Sequence, residues 1–262
     1  MARVKRGLAA NAGPPSVATV FERLQHGDAA GASDAFAADA LYAYSDDADN
    51  ESAPRRVARG RTEIAGALPG PDVAPQLRIG IHDDRDCFVE GDYVDPSGDR
   101  VATFCWSAQL DEDGRLARVM CLDCAPVQPS PTWANPVAEP AQDAASVLDR
   151  YFRHLGASEF PEAVACFSPD VVYDHPPYRP GTPRAVFHGR AELLDGFVNV
   201  RGPTASRQVV VSSLQTGRDC FIEGVVDGIP NGGSFVSSLT LDAEGLIQRY
   251  VAFYSPSRAE RR

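Results

Sequence analysis

No stretch of this 262-residue chain approaches the roughly 20 consecutive apolar residues that a membrane-spanning helix requires. An excess of basic charge is also missing. The formal net charge is -11 and no dense basic patch offsets it, which argues against binding a nucleic-acid backbone. The opening residues MARVKRGLAANAGPPS carry early positive charges but lack the apolar run of an export signal. Without such a signal Cys87, Cys105, Cys121, Cys124, Cys166 and Cys220 read as reduced thiols of a cytoplasmic protein. Cys121-Leu-Asp-Cys124 has neither a second pair nor a following helix, so it reads as two buried thiols rather than a metal or redox site. The acidic run from Asp46 to Glu51 lacks the glycine and the terminal glutamate of a calcium loop and reads as solvated. No pattern calls for a cofactor or a metal.

What the chain does have is a repeat. Arg-Asp-Cys-Phe-Val-Glu-Gly at 85–91 returns as Arg-Asp-Cys-Phe-Ile-Glu-Gly at 218–224. Gly60-Arg61-Thr62-Glu63-Ile64 matches Gly189-Arg190-Ala191-Glu192-Leu193, and the set Phe36, Asp39, Tyr42 matches Phe167, Asp170, Tyr173. The order is kept while loop lengths drift, as expected of a duplicated domain of about 115 to 120 residues. The expected units are 16–125 and 143–256, joined by a proline-rich spacer at 126–142 whose Trp133 is expected to dock on a domain surface. Residues 1–15 read as a loose tail.

In the second copy Asp143 is placed to cap a helix whose apolar positions 148, 151, 152 and 155 keep the helical period, with Gly156 just past its end. Pro161 suits the first turn of a short second helix. A strand follows over 170–175, then a proline-rich loop, a third helix over about 189–199, and strands at 207–215, 219–227, 234–242 and 245–254. The first copy repeats this ααβαββββ order. The fold class is α+β: two tandem cone-shaped domains, each a strongly bent, mainly antiparallel sheet with three helices.

The motif Tyr151-Phe-Arg-His-Leu155, the run Ser-Pro-Asp-Val-Val-Tyr-Asp-His-Pro at 168–176, His188-Gly-Arg190 and the Asp-x-x-Gly turn before the last strand resemble the nuclear transport factor 2-like fold, in the branch of ketosteroid isomerase and the SnoaL-like polyketide cyclases. That resemblance implies a cone open to a small apolar molecule and pairing of the two repeats as an internal pseudo-dimer, either monomeric or as a homodimer of that unit. It also implies cofactor-independent proton transfer next to a carbonyl, of isomerase, cyclase or dehydratase type. Carried over residue by residue, it puts Tyr151 at the oxyanion-donating tyrosine, His175 at the base and Ser237 where the isomerase has a protonated acid.

Tyr151 stands where the first repeat has Val20, so it faces a core, and its phenol meets either a ligand carbonyl or a backbone carbonyl. His175 has the right intrinsic pKa for a base, or it merely stacks at the cone mouth. Its neighbour Asp174 points to the opposite face and reads as solvated. Alternation sets Phe221 and Glu223 on one face of their strand, and the resemblance makes that the lining face. Glu223 and its twin Glu90 are then either neutral acids in apolar surroundings or partners of an arginine such as Arg249. Tyr250 and Tyr254 share a face and line the cavity. In the first repeat Val20, Tyr44 and Trp106 replace Tyr151, His175 and Ser237, leaving Glu90 and Asp123 as polar candidates and marking that half as degenerate. The alternatives are a non-catalytic binding or assembly protein and, on Glu223 alone, an epoxide hydrolase.

Overall fold

The computed structural model describes residues 5, 6, 8–10, 14–44, 55–128, 143–178, 182–228 and 232–256. In chain order the elements are β1 (Lys5–Arg6), β2 (Leu8–Ala10), α1 (Pro15–Gln25), α2 (Ala29–Ser33), β3 (Phe36–Tyr44), β4 (Arg56–Arg59), α3 (Gly60–Ala67), β5 (Ala74–His82), β6 (Asp86–Val94), β7 (Arg100–Leu110) and β8 (Leu116–Cys124). The second half follows with α4 (Ala144–Gly156), α5 (Phe160–Val164), β9 (Phe167–His175), β10 (Ala185–His188), α6 (Gly189–Asp195), a π-helical turn Gly196–Arg201, then β11 (Arg207–Thr216), β12 (Asp219–Asp227), β13 (Gly233–Leu241) and β14 (Ile247–Ser255). Among the described residues no helix is long and apolar enough to cross a membrane.

The chain divides into two compact units, one built on Gly7–Pro129 and the other on Ser130–Arg258 with Met1–Arg6. Each is a seven-stranded mixed sheet. The first runs β2-β5-β6-β7-β8-β3-β4 and the second β1-β11-β12-β13-β14-β9-β10, the same order of repeated strands, although the edge strand β1 runs parallel to β11 and β2 antiparallel to β5. Both are bent sheets with three helices, an α+β fold.

Three expectations change. Residues 5, 6 and 8–10 are edge strands rather than a loose tail. β4 and β10 add a short hairpin partner to β3 and β9 where loops were expected. The third helix of the second unit finishes as a π-helical turn. The spacer residues 129–142 with Trp133, and the acidic run 46–51, lie outside the described residues.

Local chemistry explains the repeat. Asp143 accepts a hydrogen bond from the Ser146 backbone N–H at 3.1 Å and so caps α4, whose buried face carries Val147, Leu148, Tyr151 and Leu155. Pro161 sits in the first turn of α5, where its missing N–H costs no hydrogen bond. The Gly-Arg-x-Glu motif does the same work twice. Gly60 (φ 71°) and Gly189 (φ 76°) hold the left-handed turn from strand to helix. Arg61 Nε donates to the Phe36 carbonyl at 2.8 Å and Arg190 Nε to the Phe167 carbonyl at 2.6 Å. Glu63 and Glu192 each accept a backbone N–H at 2.8 Å, from Arg59 and His188.

The glycine ending the repeated heptapeptide is fixed by close approach. A Cβ on Gly224 would lie 2.2 Å from Phe235 Cζ and 2.7 Å from the Val209 carbonyl. One on Gly91 would lie 2.5 Å from Phe104 Cζ and 2.4 Å from the Gln76 carbonyl. Each phenylalanine is the direct cross-strand partner of its glycine, and in each copy the opposite strand carries a register shift next to it, Val210/Ser212 and Leu77/Ile79. An extra residue there bends the strand. Gly224→Ala and Gly91→Ala are each expected to lower stability by about 1–3 kcal/mol through overpacking. Gly156→Ala, where nothing lies within 4 Å, should be neutral or stabilising. Urea unfolding of the three variants checks this.

Candidate functional site

The inner face of the second sheet is set by register. Ile222 lies opposite Ser237 and Ser237 opposite Ala252; Leu239 lies opposite Tyr250, and Tyr250 is paired with Tyr173. Ile222, Leu239, Tyr250 and Ala252, with Tyr151 and Leu148 from α4, belong to one buried cluster. Phe221 and Glu223 are the alternate residues of β12 and do not. Their strand alternation is as expected, but the face is reversed: Cys220 and Ile222 face the cone, while Phe221 and Glu223 lie on the other side. Glu223, 2% exposed, shares that other face with Arg249, whose Nη1 donates to Ser238 Oγ at 2.9 Å. Glu90 in the first unit is fully buried and ion-paired with Arg78 at 3.3 Å. Arg78 also pairs with Asp92. Neither glutamate is a cavity acid. Asp174 is on the opposite face as expected, yet it is buried, and Arg184 Nε donates to it at 2.7 Å.

A cavity of about 40 Å³ remains inside the second cone. Tyr151, Tyr173, His175, Gln208, Tyr250 and Tyr254 are among its walls. Of the residues expected from sequence, the structure therefore brings together Tyr151, His175, Tyr250 and Tyr254. Ser237 joins them by donating from Oγ to the Tyr250 hydroxyl at 3.0 Å. Tyr173, Tyr178 and Gln208 were not singled out. Tyr173 looked like a mere repeat marker because Tyr42 matches it.

The hydroxyls form a chain. Tyr151 Oη lies 3.2 Å from Tyr173 Oη, which lies 3.5 Å from Tyr178 Oη. Three phenols carry three hydrogens and their two mutual bonds use two, so one O–H stays available. Because Ser237 donates to Tyr250, the Tyr250 hydrogen is available as well. Burial pushes the Tyr151, Tyr173 and Tyr250 phenols up, and Tyr178 up to about 12. All four are neutral donors at physiological pH.

His175 ends β9, with its ring parallel to those of Tyr173 (5.9 Å, 2°) and Tyr178 (4.4 Å, 10°). Its Nδ1 is 2.7 Å from the Pro176 carbonyl. A carbonyl only accepts, so Nδ1 carries the proton and Nε2 keeps its lone pair. Burial lowers the imidazole pKa to about 3; the Pro176 carbonyl opposes this, and the charges of Arg184 and Arg201 add to the lowering.

The first unit differs at the same register positions. Trp106, fully buried, stands at the place of Ser237, with Phe21 at 4.8 Å and Tyr42 at 6.0 Å. Val119 replaces Tyr250, and Asp123 stands opposite Phe104 as Tyr254 stands opposite Phe235. Asp123 is half-buried on the inner face, and its charge contributes, after burial, to raising the pKa values of Cys121, Tyr93 and Tyr42. All six cysteines are buried free thiols.

The depressed pKa of His175 fixes a pH window. An unfolded histidine titrates near 6.5, so between about 6.5 and about 3 the unfolded chain binds a proton that the folded chain does not. His175 thus leaves stability unchanged above about pH 6.5 and lowers it as pH falls toward 3. Urea unfolding at several pH values should show wild type losing more stability than His175→Gln across this window. Parallel pH curves would contradict the buried neutral imidazole.

The model of the SnoaL-like domain family matches residues 148–250. A ketosteroid isomerase candidate from Kribbella flavida is similar at 22% identity, over 45% of this chain and 82% of that one, with a TM-score of 0.36. A nuclear transport factor 2-like protein of unknown function from Burkholderia pseudomallei is similar at 16% identity over 44% and 92% (TM-score 0.39), and a candidate polyketide cyclase from Xanthomonas campestris at 17% over 42% and 89% (TM-score 0.34). No curated protein matches the chain. The match to the SnoaL-like domain thus lies in the second half of the chain, over residues 148–250, and the first half repeats the order of its central strands.

Proposed function

We propose that the second cone is a cofactor-independent site for proton transfer next to a carbonyl, acting on a small, largely apolar compound of polyketide or steroid-like type. The surplus of phenolic hydrogens beside a neutral imidazole carries this reading. His175 Nε2 takes a proton from the carbon next to the carbonyl, and the electron pair moves onto the carbonyl oxygen. The spare hydrogens of the Tyr151–Tyr173–Tyr178 chain and of Tyr250 then donate to the developing oxyanion, where preorganised donors act most strongly. The imidazolium returns the proton to a second carbon or to a leaving group, giving isomerisation, cyclisation or dehydration. A base with so low a pKa is weak in the empty site, and the oxyanion formed beside it is what stabilises its protonated form.

The first cone, with Trp106 in place of Ser237, serves as scaffold in this reading. Epoxide hydrolysis loses its support, since Glu223 lies on the far face of β12 and no carboxylate is among the described residues lining the cavity. A second reading, a cone that only holds a ligand or is filled by its own side chains, is favoured by the cavity's small size and by Phe235 and Tyr254 in its wall.

Deuterium incorporation separates the two. Cyclic β,γ-unsaturated ketones incubated with the protein in D2O are expected to gain deuterium beside the carbonyl, read by proton NMR. His175→Ala should slow this by about 10²–10⁴-fold and Tyr151→Phe by about 10²–10³-fold. Ketone binding without any exchange would favour the non-catalytic reading.

A further inference from the structure

The cavity of about 40 Å³ is far smaller than the roughly 300–1,000 Å³ of ordinary ligand pockets, yet a groove of about 580 Å³ lies beside it. Two residues, Phe152 and Gln208, belong to the walls of both. Phe152 follows Tyr151 on α4 and leans on the rings of Tyr151 (4.8 Å) and Phe235 (6.1 Å), which makes it a partition between the two spaces. Gln208 faces Val226 across β11 and β12, on the inner face.

Gln208 Oε1 is buried and has no hydrogen-bond partner among the described residues. Leaving a buried amide oxygen unpaired costs about 1–3 kcal/mol, so a partner is expected to arrive with the ligand. The first repeat carries Pro75 at this register, opposite Tyr93, and so has no side-chain hydrogen-bonding group there. Arg153, Arg207, Thr204 and Ser206 also line the groove, and Asp149 is the one acidic side chain among its described lining residues. Two arginines against one aspartate reverse, locally, the sign of a chain whose net charge is -11.

We propose that groove and cavity are one bipartite site for an elongated, hydroxylated carbonyl compound with an anionic tail. The reacting carbonyl end occupies the small cavity. The Gln208 amide accepts from a ligand hydroxyl at the neck, beside the Phe152 ring, and the tail lies in the groove with its carboxylate on Arg153 and Arg207. This rests on the carbonyl-site reading of the second cone and adds the substrate's shape and charge.

Two fluorescent phenols test it on the full chain: 2-naphthol, a ring alone, and 6-(4-carboxybutoxy)-2-naphthol, the same ring with a carboxylate tail. The tailed probe is expected to bind about tenfold tighter or better. Arg153→Gln combined with Arg207→Gln should erase that advantage while leaving 2-naphthol affinity unchanged. A third probe, 2,6-dihydroxynaphthalene, brings a second hydroxyl to the neck, and Gln208→Leu should weaken it about tenfold while leaving 2-naphthol affinity unchanged and the thermal midpoint unchanged or raised. Equal affinities in wild type, a tail advantage that survives the double arginine variant, or no binding of either probe would overturn the bipartite site. The deuterium experiment keeps the two readings apart. Exchange without a tail effect overturns the bipartite site and leaves proton transfer standing, whereas a tail effect without exchange overturns the chemistry and leaves the site.

Discussion

Everything in this fold hangs on a close crossing that occurs once in each half: a glycine on one strand lying beneath a phenylalanine ring of the next. With no Cβ at Gly224 or Gly91, the rings of Phe235 and Phe104 lie across the neighbouring strand, and the carbonyls of Val209 and Gln76 come equally near from the other side. The adjoining register shifts bend the sheet at the same level. A flat sheet would leave the helices without a concave face to pack on. The repeated heptapeptide, with its terminal glycine, is therefore a scaffold element, and its glutamates serve the back of the sheet.

Chemistry resides where the copies diverge. In the first half an indole takes up the room that the second half gives to Ser237, beside the hydroxyl of Tyr250. In the second half burial keeps the phenols protonated and the imidazole neutral, so the same apolar surroundings set both ends of the proton-transfer reading. Counting hydrogens shows why the cavity favours an oxygen-rich ligand: the hydroxyl chain has one donor left over, Tyr250 has another, and the Gln208 oxygen is an acceptor waiting for one.

The duplication made most elements legible in sequence. Asp143, Pro161 and the glycine turns marked their boundaries through local backbone chemistry, and the four strands after the third helix appear within a residue or two of where alternation places them. The two short hairpin strands were hidden by four-residue lengths beside irregular stretches. Phe221 and Glu223 show the harder limit. Residues 220–224 are all buried, so alternation separates the two faces without telling which one faces the cone. Gln208 could not be found from local sequence either, because its importance lies in cross-strand register and in a shared wall between two spaces.

The most direct test of the second cone as a carbonyl site is a crystal structure of the full chain with a planar phenol that mimics the enolate, such as 2-naphthol. The phenol oxygen is expected within hydrogen-bonding distance of the Tyr151–Tyr173 pair or of Tyr250, with the neighbouring ring carbon facing His175 Nε2. A phenol bound elsewhere while the cavity keeps its own aromatic filling, or His175 Nε2 turned onto a protein donor, would contradict it.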